Sequence, residues 1–413
     1  MPLDPWMFVG KIDAFEREGA DHVLKKLWEG GIRQIVLGDL ILDGHPAFAP
    51  DPECYRDTKT QPPAMPAELA PRARIVADAV QAAKDRGFGV YLHDWGQFRG
   101  RCLNDPEYVK YAVARSRDAF GHYPGLDGFI ADGPEYGYEI EPGHRSDIFR
   151  CFCECCEAKA RASGYDFEAI RLAADRFRGR LNHLDREVVE RLVEVPTGLF
   201  DPVDLLMWEP DLFDWLRFKT ESILDLLGGM RAGIRGIDPR LRLACGPRTA
   251  AFAPLTAYNF RRLNEVTDFI CPKFYFWMHG IDGMKGTVYR WAKTLMDWNA
   301  WMSETLALKL VYKIFGFTLP GVERLEDLGR PLSGAFFTET VAGEISMAIL
   351  RVGDVGRIRP WVGLHHGGVR MDASEMRPIM VAMEQGGLRS YIHWHYSDMQ
   401  PVEWEIVKSF CAR

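Results

Sequence analysis

Residues 126–140 read LDGFIADGPEYGYEI. Phe129, Ile130 and Ala131 form an apolar run that predicts a buried strand, and Gly133 and Pro134 end it. Glycine supplies turn geometry, and proline has no N–H to give to a ladder. Asp132 and Glu135 flank the break, so both carboxylates are expected at the strand's C-terminal end, with Tyr136 and Tyr138 beside them. In parallel α/β folds that end carries ligands and chemistry. The plainer reading of the same residues is a solvated loop whose acids cap the next helix.

Outward from this stretch the chain repeats a strand–turn–helix rhythm. Toward the N-terminus, strands are predicted at 6–12, 34–37 and 88–92, with helices over 21–29, 71–86 and 105–122. Gly30 and Gly87 stop the first two helices; Asn104 or Asp105 caps the third, with Pro106 in its first turn. Toward the C-terminus, strands are predicted at 241–245, 269–276, 358–364 and 390–396, with helices at 258–264, 374–385 and 401–410. Eight strands alternating with helices predict an α/β fold of the (β/α)8 TIM-barrel type. One domain is expected over residues 1–413, with helical excursions at 147–236 after strand four and 286–355 after strand six. A doubly wound sheet is the alternative, but no GxGxxG follows strand one.

Composition bounds the function. The chain has 413 residues, 47% of them hydrophobic, and a net charge of −7. That charge, with no Lys/Arg run, argues against a nucleic-acid partner. No apolar run approaches the ~20 residues of a membrane span, and the start MPLDPWMFVG has no signal-peptide pattern. Nine cysteines, odd in number and clustered, do not read as a secreted disulfide framework. A cytoplasmic location is expected. Aromatic residues make up 12%, which fits a sugar-binding cleft and a large helical shell equally well.

A barrel would bring the polar residues at its strand ends to one face. These are Lys11, Asp13, Asp39, His93, Asp94, Asp132, Glu135, Arg248, Lys273, Tyr275, His365, His366, His393, His395 and Asp398. Glycoside hydrolysis needs two carboxyl groups across the scissile bond, one protonating the leaving oxygen and one attacking carbon or activating water. Glu135 suits the acid; Asp132 would tune it or act as base, and Asp94 is the second candidate base. Trp95, Tyr136, Tyr275 and Trp394 would line the subsites. Arg248, Lys273, Lys11, Asp39 and the histidines would bind hydroxyls, or an acidic group on the sugar.

Cys151, Cys153 and Cys156 form C-x-C-x2-C, and Cys102 stands alone after strand three. Together they could give a four-thiolate zinc site, which would be closed and structural. A reduced, metal-free cluster is the competing reading, because the usual pair of CxxC knuckles is missing. No organic cofactor is expected.

The run DGPEYG, then CFCECC, then WLRFKTESILDLL ahead of DPRLRLA, resembles the catalytic barrel of glycoside hydrolase family 42 β-galactosidases and the glycosidase-like barrels related to them. The likeness covers roughly the first two-thirds of the chain. In that family an Asn-Glu-Tyr-Gly segment after strand four carries the general acid/base, and Glu135-Tyr136-Gly137 matches its last three residues. The resemblance implies zinc on Cys102, Cys151, Cys153 and Cys156, and a homo-oligomer. There are two departures. Pro134 stands where the family has Asn, and strand seven ends in Leu364-His365-His366-Gly367 where the family has its nucleophilic Glu. Asp132, Asp94, Asp39 or Asp398 would then supply the second carboxylate. The segment DGFIADGPE is also similar, one residue out of step, to the acidic strand of chitinase-like barrels.

The reading is therefore a glycosidase acting on a small sugar conjugate or oligosaccharide. Two alternatives share the barrel. One is a metal-dependent sugar isomerase, epimerase or lyase using His93, Asp94, Glu135, His365, His393 and His395. The other is a carbohydrate-binding barrel without turnover.

Overall fold

Strand one, Asp4–Gly10, shows how the barrel is built. Its residues alternate between two apolar environments. Trp6 meets Tyr91 and Phe269 across the interior, and Phe8 meets His93, Trp361 and Trp394, while Met7 and Val9 are buried on the other side. A strand covered on both faces reads as a continuous apolar run, as in parallel sheets flanked by helices. Strand one pairs in parallel with strand two, Gln34–Leu37, and with strand eight, Ser390–Trp394. From strand two the parallel order runs to strand three, Gly89–Trp95, strand four, Gly128–Asp132, and strand five, Arg242–Gly246. On the other side, strand eight pairs with strand seven, Trp361–Gly363.

The computed structural model describes the chain apart from residues 1–2, 11, 39–40, 96–100, 196–208, 277–282, 367–368 and 412–413, and gives the backbone alone at 41, 94, 95, 366 and 369.

Strand six closes the ring and is not the single strand that residues 269–276 predict. It has two short pieces, Phe269–Ile270 against strand five and Lys273–Phe274 against strand seven. Pro272 lies between them and has no N–H to donate. The carbonyls still serve: Pro272 O accepts from Trp361 N at 2.8 Å, and Lys273 N donates to Pro247 O at 3.0 Å. The result is a (β/α)8-type barrel, closed through a strand that changes neighbour at its proline.

The helices follow their sequence signals closely. Pro106–His122 starts after Asp105, whose carboxylate accepts from Glu107 N at 2.9 Å. The first excursion contains Glu154–Ala162, Phe167–Asn182, Arg186–Glu194 and the long helix Pro210–Ile237. The second contains Met284–Trp298, Glu304–Phe315 and Ala342–Val352. The two meet at buried Asn299, which accepts from Leu184 N at 3.0 Å and donates to Leu181 O at 2.9 Å. One amide thereby satisfies backbone groups that burial would otherwise leave unpaired. Among the described residues, no helix is long and apolar enough to cross a membrane.

Helix Ala342–Val352 braces the loop after strand five. Glu344 is buried and accepts from Ala251 N at 3.2 Å, and Arg351 donates to Ala250 O. Burial raises the Glu344 carboxyl to about 7, against those backbone donors and Arg351. Its folded value thus lies above its unfolded one. Its stabilising state, the neutral acid, is fully present below the unfolded value of 4.5 and is lost as pH rises toward 7. The cost at pH 8 is about 3 kcal/mol. Glu344→Gln should therefore be more stable than the parent at pH 8, with the gap closing toward pH 4.5; denaturant unfolding at both pH values measures it.

Candidate active site

The 126–140 stretch leaves the barrel where its sequence says it should. Asp132 is the last residue of strand four, and Gly133 takes φ +86°, the left-handed turn that glycine accepts most easily. The turn is strapped to the loop after strand five: Tyr258 donates its hydroxyl to Pro134 O at 2.9 Å, and Tyr136 N donates to Thr256 O at 3.3 Å. Beyond it, Gly137 lies against the returning chain. A Cβ there would fall 2.1 Å from Asp147 O, so only glycine allows this approach.

Two buried acid–cation pairs result. Asp132 meets Lys273 Nζ at 2.9 Å and His93 Nε2 at 3.4 Å, so strands four, six and three each contribute one member. Glu135 forms an ion pair with Arg248, which follows strand five, and the Arg248 guanidinium lies 4.4 Å from the centre of the Tyr138 ring. The acidic side chains are each 9% exposed, and those of Arg248 and Lys273 are 3% and 4%. At that burial an unpartnered charge would be costly, and each pairing offsets it. Burial works to raise Asp132, but the Lys273 ammonium, with His93, holds it well below the usual carboxylate range. Burial lowers Lys273, with Asp132 opposing. Gly246 makes room for this group: a Cβ there would stand 2.7 Å from Asp132 Oδ1.

An aromatic floor adjoins the pairs. Phe8 stacks on Trp394 at 4.6 Å, Trp361 turns its edge to His93 at 5.2 Å, and Tyr275 lies 6.3 Å from Trp394. Burial raises the Tyr275 hydroxyl well above its ordinary value, and Asp132 adds to this. On the rim, His365 and His395 each direct Nε2 at Asp398 Oδ2, at 2.9 and 2.8 Å.

The structure thus brings together Asp132, Glu135, His93, Arg248, Lys273, Tyr275 and Trp394, and beside them His365, His395 and Asp398. His393 is elsewhere. It alternates with Trp394 along strand eight and faces the helical layer, where Nε2 meets Glu403 at 3.0 Å. The shared face that HxH spacing predicts for His393 and His395 is not kept, because the strand ends at Trp394. Tyr136 also points away: its buried hydroxyl accepts from Asn104 Nδ2 at 3.2 Å, beside the cysteines. Lys11 and Asp39 lie outside the described residues, as do the side chains of Asp94, Trp95 and His366. Sequence reasoning passed over Phe8, Trp361 and Arg145. Inward alternation along strands one and seven was the available signal for the first two. Arg145, close enough to act electrostatically on Tyr138, Arg248, Glu135 and Asp132, comes from a turn with no strand pattern.

Behind strand four, the Sγ atoms of Cys102, Cys151, Cys153 and Cys156 all lie within 4.8 Å of one another. Asn104 N donates to Cys102 Sγ at 3.3 Å. Cys155 is not part of this group. The donor set fits a metal ion that accepts four sulfurs, with N–H donors of the kind that orient such ligands.

No protein-family model matches the sequence, and no curated protein sequence matches it. Solved structures do match. The glycoside hydrolase domain of PgaB (BpsB) from Bordetella bronchiseptica superposes with a TM-score of 0.57 at 11% identity, covering 100% of this chain and 99% of that one. The polyextremophilic β-galactosidase of the Antarctic haloarchaeon Halorubrum lacusprofundi gives 0.52 at 11% identity, covering 99% of this chain and 57% of that one. The chain therefore has a glycoside-hydrolase-like barrel fold; at such identity the likeness is one of fold, and function has to be argued from the site.

The buried pairs predict a specific stability pattern. Arg248→Met strands the Glu135 carboxylate and should cost about 3 kcal/mol. Adding Glu135→Gln removes that charge and should recover part of the loss, a coupling that a double-mutant cycle in urea would read.

Proposed function

We propose that the protein is a glycoside hydrolase with Glu135 as its general acid/base, acting on a small sugar conjugate or oligosaccharide. The observation that carries this reading is the placement of Glu135. It stands on a glycine–proline turn at the C-terminal end of strand four, against Arg248 and close in sequence to Asp132, in a barrel fold shared with glycoside hydrolases. Trp394, the partly exposed ring of the aromatic floor, offers a face to the C–H groups of a sugar, and convergent polar groups can fix its orientation. Arg248 pairs with the Glu135 carboxyl and so fixes its position on the turn. Asp132, clasped by Lys273 and His93, supplies fixed negative charge and positions both partners. Asp94, at the end of strand three, is the other candidate for the second carboxylate. A separation of about 5–5.5 Å from Glu135 would make the enzyme retaining, and about 6.5–9.5 Å inverting.

This reading is preferred to a metal-dependent isomerase because His93, Glu135 and His393 each already face a different charged partner. We further propose that the four cysteines hold a structural zinc ion. The free thiols fit a reducing compartment, so the cytoplasm is our proposed location.

Glu135→Gln should lower turnover on the best glycoside of a broad panel by about 10²–10⁴-fold, in a barrel that still folds but melts somewhat lower because Arg248 loses its partner. Full activity in that variant would remove Glu135 from the mechanism. For zinc, elemental analysis should find one ion per chain, lost in Cys151→Ser together with several degrees of melting temperature. A metal-free parent protein with an unchanged melting temperature would refute it.

A further inference from the structure

The rim cluster has a geometry that the hydrolase reading does not use. His365 follows strand seven; His395 and Asp398 follow strand eight, so two neighbouring strand ends converge on one point. Both imidazole Nε2 atoms approach the same carboxylate oxygen, Asp398 Oδ2, at 2.9 and 2.8 Å, and the three donor atoms lie within 4.8 Å of one another. The rings do not stack; they meet edge-on at 71°, 5.2 Å apart. Asp13, from the segment after strand one, accepts from Ser397 Oγ at 3.2 Å and adds a second negative charge beside His395.

We propose that His365, His395 and Asp398 bind a divalent transition-metal ion at the mouth of the barrel. Two imidazoles and one carboxylate on one side of an ion form the facial donor set that Fe(II) and related borderline ions take up. Ligands bonded at about 2.1 Å and set at right angles stand about 3 Å apart, close to the two nitrogen–oxygen distances here; a tetrahedral arrangement would spread them further. The donors are nitrogen and oxygen only, so the site selects differently from the cysteine cluster, whose soft sulfurs favour zinc. The His365, His395 and Asp398 side chains are 23%, 18% and 44% exposed, so an ion there keeps coordination positions open toward the mouth. His395 also lies 5.4 Å from the Trp394 ring. Those open positions would take paired oxygens, such as vicinal hydroxyls or a carboxylate, of a ligand resting on the aromatic floor. The site stands on its own geometry and does not depend on Glu135 being the general acid.

The same spacing would serve two imidazoles that simply donate hydrogen bonds to Asp398, and metal binding separates the two. The probe is Mn(II), which disfavours thiolates and so leaves the cysteine cluster silent. Titrated into the full chain and followed by electron paramagnetic resonance, Mn(II) should bind at one equivalent. Asp398→Asn, a nearly isosteric change at a partly exposed position, should weaken binding at least ~10-fold, and His365→Ala likewise, with the melting curve and the zinc content of the cysteine cluster unchanged. The Glu135→Gln variant should bind Mn(II) as the parent does, so failure of the hydrolase reading and failure of this one give different results. Absence of saturable Mn(II) binding by the parent protein would overturn the proposal and leave a hydrogen-bonded trio. Binding that persists at full strength in both Asp398→Asn and His365→Ala would overturn it too, by placing the ion elsewhere.

Discussion

Two carboxylates buried at the end of one strand govern the architecture of the barrel mouth. A buried carboxylate requires a cation or a proton, and here each meets a cation from a different strand: Lys273 for Asp132 and Arg248 for Glu135. Because desolvation penalises an unpaired charge, each acid and its cation hold their positions as a pair. The surrounding structure fixes them further. Tyr258 holds Pro134 O, Glu344 and Arg351 hold the loop that carries Arg248, and Gly246 leaves the space that Asp132 occupies. Such a preorganised cluster is what a site needs if it is to place charge against a substrate without reorganising.

The helical excursions build the back wall of this mouth. After Gly137 the chain passes Asp147 at a distance only glycine permits, and Glu139 is then taken by Arg290 and Thr287 from the second excursion. Tyr136 turns toward Asn104 and the cysteines. Glu135 and the cysteine cluster are therefore linked through one short stretch, with Tyr136 turned to the cysteine side.

Much of the fold was legible because the strands are buried on both sides and the helices carry ordinary start and stop signals. Asp105 before Pro106 and the apolar runs at strands four and five sit where the sequence says. Residues 269–276 read as one strand because nothing local marks where its pairing changes at Pro272; which neighbour each half pairs with is a property of the closed sheet. His393 and His395 show the second kind of gap. Their spacing predicts a common face, but the strand stops at Trp394, so one histidine ends among helices beside Glu403 and the other on the rim beside Asp398. Phe8 and Trp361 carry only the inward alternation of their strands as a signal, which marks them as interior without saying that they adjoin a site.

By itself the sequence determined the kind of barrel, the strand end at which polar groups gather, and the residues able to carry charge or bind metal there. These follow from local chemistry: periodic burial, proline without a donor, glycine in a left-handed turn. Only the tertiary structure decided which acid meets which cation, which histidine faces the mouth, and that the Cys102 sulfur converges with those of the 151–156 run. Those outcomes depend on distances across the barrel, set by closure of the sheet and by the cost of burying a charge alone, and neither quantity is written in any single stretch of chain.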